Sequence, residues 1–162
     1  MMALSLLRID DRLIHGQVVE GWLPALKARR VVVVSDEAAG DPTQAALMRM
    51  CMSESVALDI CSVADAPAAL AKAAAAPENV LALVPGTAEA LALVRAGVRV
   101  ESVNVGGLHY AAGRMQLGKA IFLDEADRRA LREIAGAGVR LEGRAVPSDT
   151  PEDVAALIQE KN

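Results

Sequence analysis

"RVVVVSDEAAGDPTQAALMRMCM", residues 30–52, holds the two patterns on which the fold turns. Its opening, RVVVVS (30–35), is an unbroken β-branched run rather than an alternation of apolar and polar residues. A strand of that kind is covered on both faces, as in a parallel sheet flanked by helices. Its second half starts with Asp41 and Pro42, a cap residue followed by a proline suited to a helical first turn, and predicts a helix over 41–52.

The same pairing repeats outward in both directions. Upstream, ALSLLRI (3–9) is strand-like, and GQVVEGWLPALKA (16–28) has apolar residues at helical spacing, interrupted by Pro24. Downstream, ALDICS (57–62) precedes the alanine-rich helix VADAPAALAKAAAA (63–76), with Pro67 in its first turn, and NVLALV (79–84) precedes GTAEALALVRAG (86–97), closed by Gly97. VESVNVG (100–106) is a strand ending at a glycine pair, and GRMQLGKAIFL (113–123) reads as a short hairpin or an irregular strand. DEADRRALREIAGAG (124–138) has an acidic first turn and a glycine stop, RLEGRAV (140–146) is a strand, and SDTPEDVAALIQE (148–160) is a final helix with N-cap residues at its start. Strand and helix alternate about six times, which predicts an α/β fold: a three-layer α/β/α single domain over 1–162, with a mostly parallel sheet of about six strands.

Composition narrows the function. The 162 residues suffice for one core, and with 53% hydrophobic but only 2% aromatic residues that core is built from Ala, Val, Leu and Ile. Net charge is −4, with no basic tail, so nucleic acid is not an expected partner and any anion is held by a local arrangement. Cys51 and Cys61 form no zinc or CxxC pattern and read as buried or partly buried thiols in a reducing cytoplasm. No window has the apolar length of a membrane span and no secretory leader is apparent, so the expected location is cytoplasmic.

Open α/β sheets bind ligands beyond the carboxyl ends of their strands. That places Asp10–His15, Asp36, Pro85–Gly86 and Gly106–His109 on one rim. His15 sits at a strand-to-helix turn between Arg8, Asp10, Asp11 and Arg12 on one side and Gly16 on the other. Free N–H groups at a helix start and two arginines can cradle an anion, and a neutral imidazole can act as nucleophile, base or metal ligand. That combination suits phosphoryl transfer, which needs an aligned nucleophile and donors for the equatorial oxygens. Local chemistry alone is equally satisfied by Arg/Asp pairs capping a strand end. His109, after Gly106 and Gly107, reads most simply as a loop histidine near the rim, and Asn104 either bonds across to the first loop or caps its strand. His15, His109, Asp10 and Asp36 could in principle share a metal, but no HxxxH or HxH spacing supports it. No GxGxxG, Walker or GxSxG motif is present.

RIDDRLIHGQV (8–18) resembles the opening motif of the IIB component of the mannose/fructose/sorbose family of the bacterial phosphotransferase system. VVVVSDEAAGD (31–41), SVNVGGLHYAAGRMQLGKAIFLDEAD (102–127) and GVRLEGRAVPSD (138–149) are similar to later family segments, in the family's order. The resemblance implies a three-layer α/β/α fold. It implies that His15 takes a phosphoryl group from a phosphohistidine on a IIA partner and passes it to sugar at the IIC/IID membrane components. Arg12 would hold the phosphoryl oxygens, with Arg8, Asp10, Asp11, Gly16, Gly106 and Gly107 in support. No metal, nucleotide or other cofactor is implied at this step, and membrane association would be peripheral, through partners only. With no IIA-like region ahead of Met1, the IIA partner is expected in trans. A regulatory phosphoprotein using the same histidine is the alternative reading. Two histidines meeting across one phosphorus predict an exposed, shallow His15 surface rimmed by apolar residues, with Trp22 or Leu13 as candidates; Trp22 fits a core position equally well.

Overall fold

The computed structural model describes residues 4–119 and 121–160; Ala3 and Ala120, inside two predicted strand segments, lie outside these. Strand β1 (Leu6–Asp10) is buried along its whole length, Arg8 and Asp10 included. The β-branched run becomes β2 (Ala28–Val34), with Val31 to Val34 fully buried. There follow β3 (Ala57–Cys61), β4 (Asn79–Val84), β5 (Ser102–Gly107), the short β6 (Met115–Gln116) and β7 (Phe122–Leu123), β8 (Arg140–Gly143) and β9 (Glu152–Asp153). The main sheet runs β3-β2-β4-β1-β5-β8-β9. All its pairings are parallel except β8 with β9, and β6 pairs with β7 as a separate antiparallel hairpin.

Two apolar layers enclose the sheet, as the continuous strand runs require. On one face Leu7, Ile9, Val32, Val34, Ala82, Val103 and Leu141 pack against α4 (Ala66–Ala75), α5 (Thr87–Arg95), α6 (Glu125–Gly136) and α7 (Val154–Glu160). On the other, Leu6, Val31, Val33, Leu81 and Leu83 pack against the first helical segment, α2 (Asp36–Ala39) and α3 (Pro42–Met50). That first segment winds as a π-helix over Gln17–Trp22, with Leu23 N–H donating to the Val18 carbonyl, then tightens into α1 (Leu23–Leu26). Pro24 falls at the junction of the two windings.

Three local expectations change. Residues 36–39, between the predicted strand and the predicted helix, form α2 because Ser35 Oγ accepts from Ala38 N–H at 3.1 Å. The last helix begins at Val154 rather than near 148: Asp149 caps the turn at Ala145 and Val146 N–H, Pro151 disfavours helix at the residue before it, and Glu152–Asp153 pair with β8. Its cap is Asp153, whose Oδ1 accepts from Ala156 N–H. Cys51, expected buried or partly buried, is exposed after the end of α3, while Cys61 is half-buried.

β5 crosses beside β1 with Arg8 opposite Asn104 and Asp10 opposite Gly107. The glycines there are a steric requirement. A Cβ on Gly106 would stand 2.1 Å from Arg8 Cζ, and one on Gly107 would stand 2.9 Å from Asp10 Oδ1. Gly16, by contrast, has nothing within 4 Å of the corresponding position. Gly106→Ala is therefore expected to cost about 2 kcal/mol in urea denaturation, the usual scale for overpacking. Gly16→Ala, measured the same way, is expected to stay within about 0.5 kcal/mol of wild type.

Candidate active site

Side-chain alternation along β1 puts Leu7 and Ile9 on one face and Arg8 and Asp10 on the other, below the π-helical segment. Arg8 has no exposed surface. Its Nη1 donates to Asn104 Oδ1 and to the Arg144 carbonyl (2.9 Å), and its Nη2 to Asp10 Oδ2 (3.1 Å) and the Ala145 carbonyl (3.0 Å). Burial pulls the guanidinium below its usual pKa, and the Asp10 carboxylate opposes that shift. Trp22 lies against it: its ring centre is 4.9 Å from Arg8 Cζ and 5.1 Å from Arg144 Cζ, and its Nε1 donates to the Ala145 carbonyl at 3.0 Å. Cation–π contact and hydrogen bonds thus tie β1, the first helical segment and the 144–149 turn into one unit.

Asp10, also fully buried, gathers the next shell of contacts. His15 Nε2 donates to Asp10 Oδ2 at 2.6 Å, and Arg12 N–H donates to Oδ1 at 3.0 Å. A carboxylate only accepts hydrogen bonds, so this contact puts a proton on Nε2, and in the neutral imidazole the lone pair is then on Nδ1. The turn is tight. Leu13 N–H bonds the Asp10 carbonyl at 3.0 Å, Leu13 adopts φ +60°, and Leu13 and Ile14 plug into the core beneath the loop. Val18 and Val19 N–H both bond the His15 carbonyl as the helix starts, with Gly16 at its N-cap.

The sequence-predicted residues separate into distinct positions. Arg12 reaches outward, with 45% of its side chain exposed; Nη2 donates to Gln17 Oε1 at 3.0 Å and Nε lies 3.8 Å from Asp10 Oδ1. Asp11 turns away from His15 and accepts from His109 N–H (2.9 Å) and Nδ1 (2.6 Å). Asn104 bridges Arg8 on β1, not the first loop, to Glu142 (3.3 Å). Arg8, Gly106 and Gly107 lie behind Asp10 as buried support. Asp36 bonds Val63 N–H at 2.8 Å, and the two histidines are held by different aspartates. The four-residue metal set is not assembled, and no group of three or more His, Cys, Asp or Glu that could hold a metal occurs among the described residues.

Two expectations about the rim are corrected. The His15 side chain is only 14% exposed, because Asp10 draws the ring inward. Leu13 is a core residue, 4% exposed and turned inward by its left-handed backbone, and Trp22, 2% exposed and packed on guanidiniums, takes the core position of its two readings rather than the rim. The large apolar side chains exposed near this end of the sheet are Tyr110 and Met115, on the segment that carries His109. Residues missed from sequence are Trp22 as a cation–π platform, and Arg144 and Ala145 as the opposite wall. Only the position of "GRA" just beyond the last parallel strand could have flagged the latter two.

The family described as "PTS system sorbose subfamily IIB component" matches residues 4–162. The chain is 34% identical over 159 residues to the sorbose-specific EIIB component of Klebsiella pneumoniae, covering 98% of this chain and 97% of that protein. It is 35% identical over 157 residues to the mannose-specific EIIAB component of Escherichia coli strain K12, covering 97% of this chain and 49% of that longer protein. Its fold superimposes on the crystal structure of the IIBSor domain of the Klebsiella pneumoniae sorbose permease with a TM-score of 0.91, at 34% identity and 99% coverage of both chains. No helix among the described residues is long and apolar enough to cross a membrane. The dense Arg8–Asp10–His15 arrangement at a parallel-sheet rim therefore occurs in a chain that belongs to the sorbose subfamily of phosphotransferase-system IIB components.

Proposed function

We propose that residues 1–162 act as one cytoplasmic phosphocarrier domain, in which His15 Nδ1 accepts a phosphoryl group from a phosphohistidine of a IIA partner and delivers it to a sugar at the IIC/IID membrane components. The observation that carries this reading is the 2.6 Å contact from His15 Nε2 to buried Asp10, which leaves Nδ1 as the nucleophile. As Nδ1 forms its bond to phosphorus, the donor's N–P bond breaks and its electron pair returns to the departing imidazole. The positive charge that develops on the His15 ring is met by Asp10 through Nε2–H. Arg12, with nearly half of its side chain exposed, neutralises the phosphoryl oxygens in this reading. In the second step a sugar hydroxyl oxygen attacks phosphorus, the bond to Nδ1 breaks, and the hydroxyl proton leaves to a base on the membrane side or to water.

Similarity to sugar-specific components along the whole chain supports sugar transfer over the regulatory alternative. If the membrane components bind the sugar, one IIB scaffold can serve sorbose- and mannose-specific relatives alike. Whether IIA reaches this domain from a separate chain or a joined one, the chemistry at His15 is the same.

Incubation with a phosphorylated IIA domain is expected to place an acid-labile phosphate on His15, mapped by mass spectrometry, and none on His15→Ala; label that persists in that variant sinks the assignment. Asp10→Asn is expected to slow transfer about a hundredfold at saturating donor, since the ring loses its orientation. Tyr110 and Met115, 73% and 68% exposed, offer the donor an apolar seat beside the rim. The pair Tyr110→Ser with Met115→Ser is expected to raise the donor KM about tenfold with little change in the saturated rate.

A further inference from the structure

Asp10 and Asp11 are adjacent at the end of β1, yet each serves a different histidine. Asp10 points inward to Arg8 and His15. Asp11 points outward, where His109 grips both of its oxygens: N–H donates to Oδ2 at 2.9 Å and Nδ1 to Oδ1 at 2.6 Å. The backbone adds a third tie, from Asp11 N–H to the Gly107 carbonyl at 2.8 Å. The start of the His15 loop is therefore clasped to the segment immediately after β5.

That segment is itself braced. Leu108 is fully buried and forms a bridge with Ile121, and its carbonyl accepts from Phe122 N–H at 2.8 Å. The His109 carbonyl accepts from Arg114 Nη1 at 3.1 Å, and Tyr110 stands edge-on to Phe122 with ring centres 6.0 Å apart. The loop it holds is short and carries Leu13 in a left-handed conformation that a non-glycine residue adopts only when its surroundings impose it. Two charge-assisted contacts from one braced residue supply such an imposition.

We infer that His109 is a positioning residue for phosphoryl transfer, acting through Asp11 to hold the loop from Asp11 to His15 so that the acceptor ring stays seated on Asp10. The inference deepens the reading of His15 as acceptor and rests on it. His109 acts in this reading through Asp11, which its Nδ1 holds, with half of its side chain exposed.

The test compares wild type, His109→Ala, His109→Asn, Asp11→Ala and the Asp11→Ala/His109→Ala pair, all checked for folding by circular dichroism. Asparagine keeps the backbone donor and places a side-chain N–H near the position of His109 Nδ1. With a phosphorylated IIA domain as donor, His109→Ala is expected to lower the saturated transfer rate about tenfold with KM within about twofold, the scale of a small misplacement of a reacting group. His109→Asn is expected to restore most of that rate, and the double variant to be no slower than either alanine variant alone. Amide hydrogen exchange of residues 11–16, measured without any donor, is expected to quicken in His109→Ala and return toward wild type in His109→Asn. Unchanged exchange in His109→Ala, additive losses in the double variant, or a loss confined to KM would each overturn the inference. A wild-type protein that takes no phosphate from the donor would overturn the acceptor reading, while the exchange data would still decide whether the clasp exists.

Discussion

A guanidinium and a carboxylate, both without exposed surface, face one another at the end of β1, and most of the site is shaped by the need to satisfy them. A buried charge is tolerated only when paired and hydrogen-bonded. Arg8 finds four acceptors, two of them carbonyls of the turn after β8, so that turn is drawn against β1. The flat guanidinium needs space over β5, and that space is Gly106; the Asp10 carboxylate needs space over Gly107. Trp22 closes the other side and shares the Ala145 carbonyl with Arg8. Asp10 keeps the capacity to accept from His15 and from the Arg12 amide. The His15 ring is thus oriented by a carboxylate that has little freedom to move.

This arrangement separates two demands that a phosphocarrier places on one short loop. The ring must be held so that one nitrogen is presented, and it must still be reachable by another protein. Asp10 meets the first demand from below, while Arg12 stands at the open side with 45% of its side chain exposed. The loop's apolar residues, Leu13 and Ile14, are used as anchors in the core rather than as a docking rim. Tyr110 and Met115, on the segment after β5, are exposed instead.

The sheet and its order of elements were legible because burial on both faces leaves an unbroken apolar signature, as in Val31–Val34 and Val80–Val84. The end of the chain misleads for a physical reason: Ser148, Asp149 and Thr150 look like a helix cap, but the Asp149 carboxylate is used on the turn at Ala145 and Val146. At the site, the cluster from Arg8 to His15 was visible as a concentration of charge beyond a strand. The division of labour within it was not. Whether an aspartate faces inward or outward depends on its parity along β1 and on which neighbour lies across from it, and both are tertiary facts. Trp22 illustrates the same limit, since one aromatic on a helix is equally a docking residue or a core residue until its partners, here two arginines, are known.

The central claim is that Asp10 fixes the proton of His15 on Nε2 and leaves Nδ1 for phosphorus. Nitrogen-15 NMR of the His15 ring, near neutral pH and before phosphorylation, tests this most directly. The account predicts that the neutral form of the ring carries its proton on Nε2, and after phosphoryl transfer a phosphorus–nitrogen coupling at Nδ1. A ring protonated at Nδ1, or a phosphorus coupled to Nε2, would contradict it.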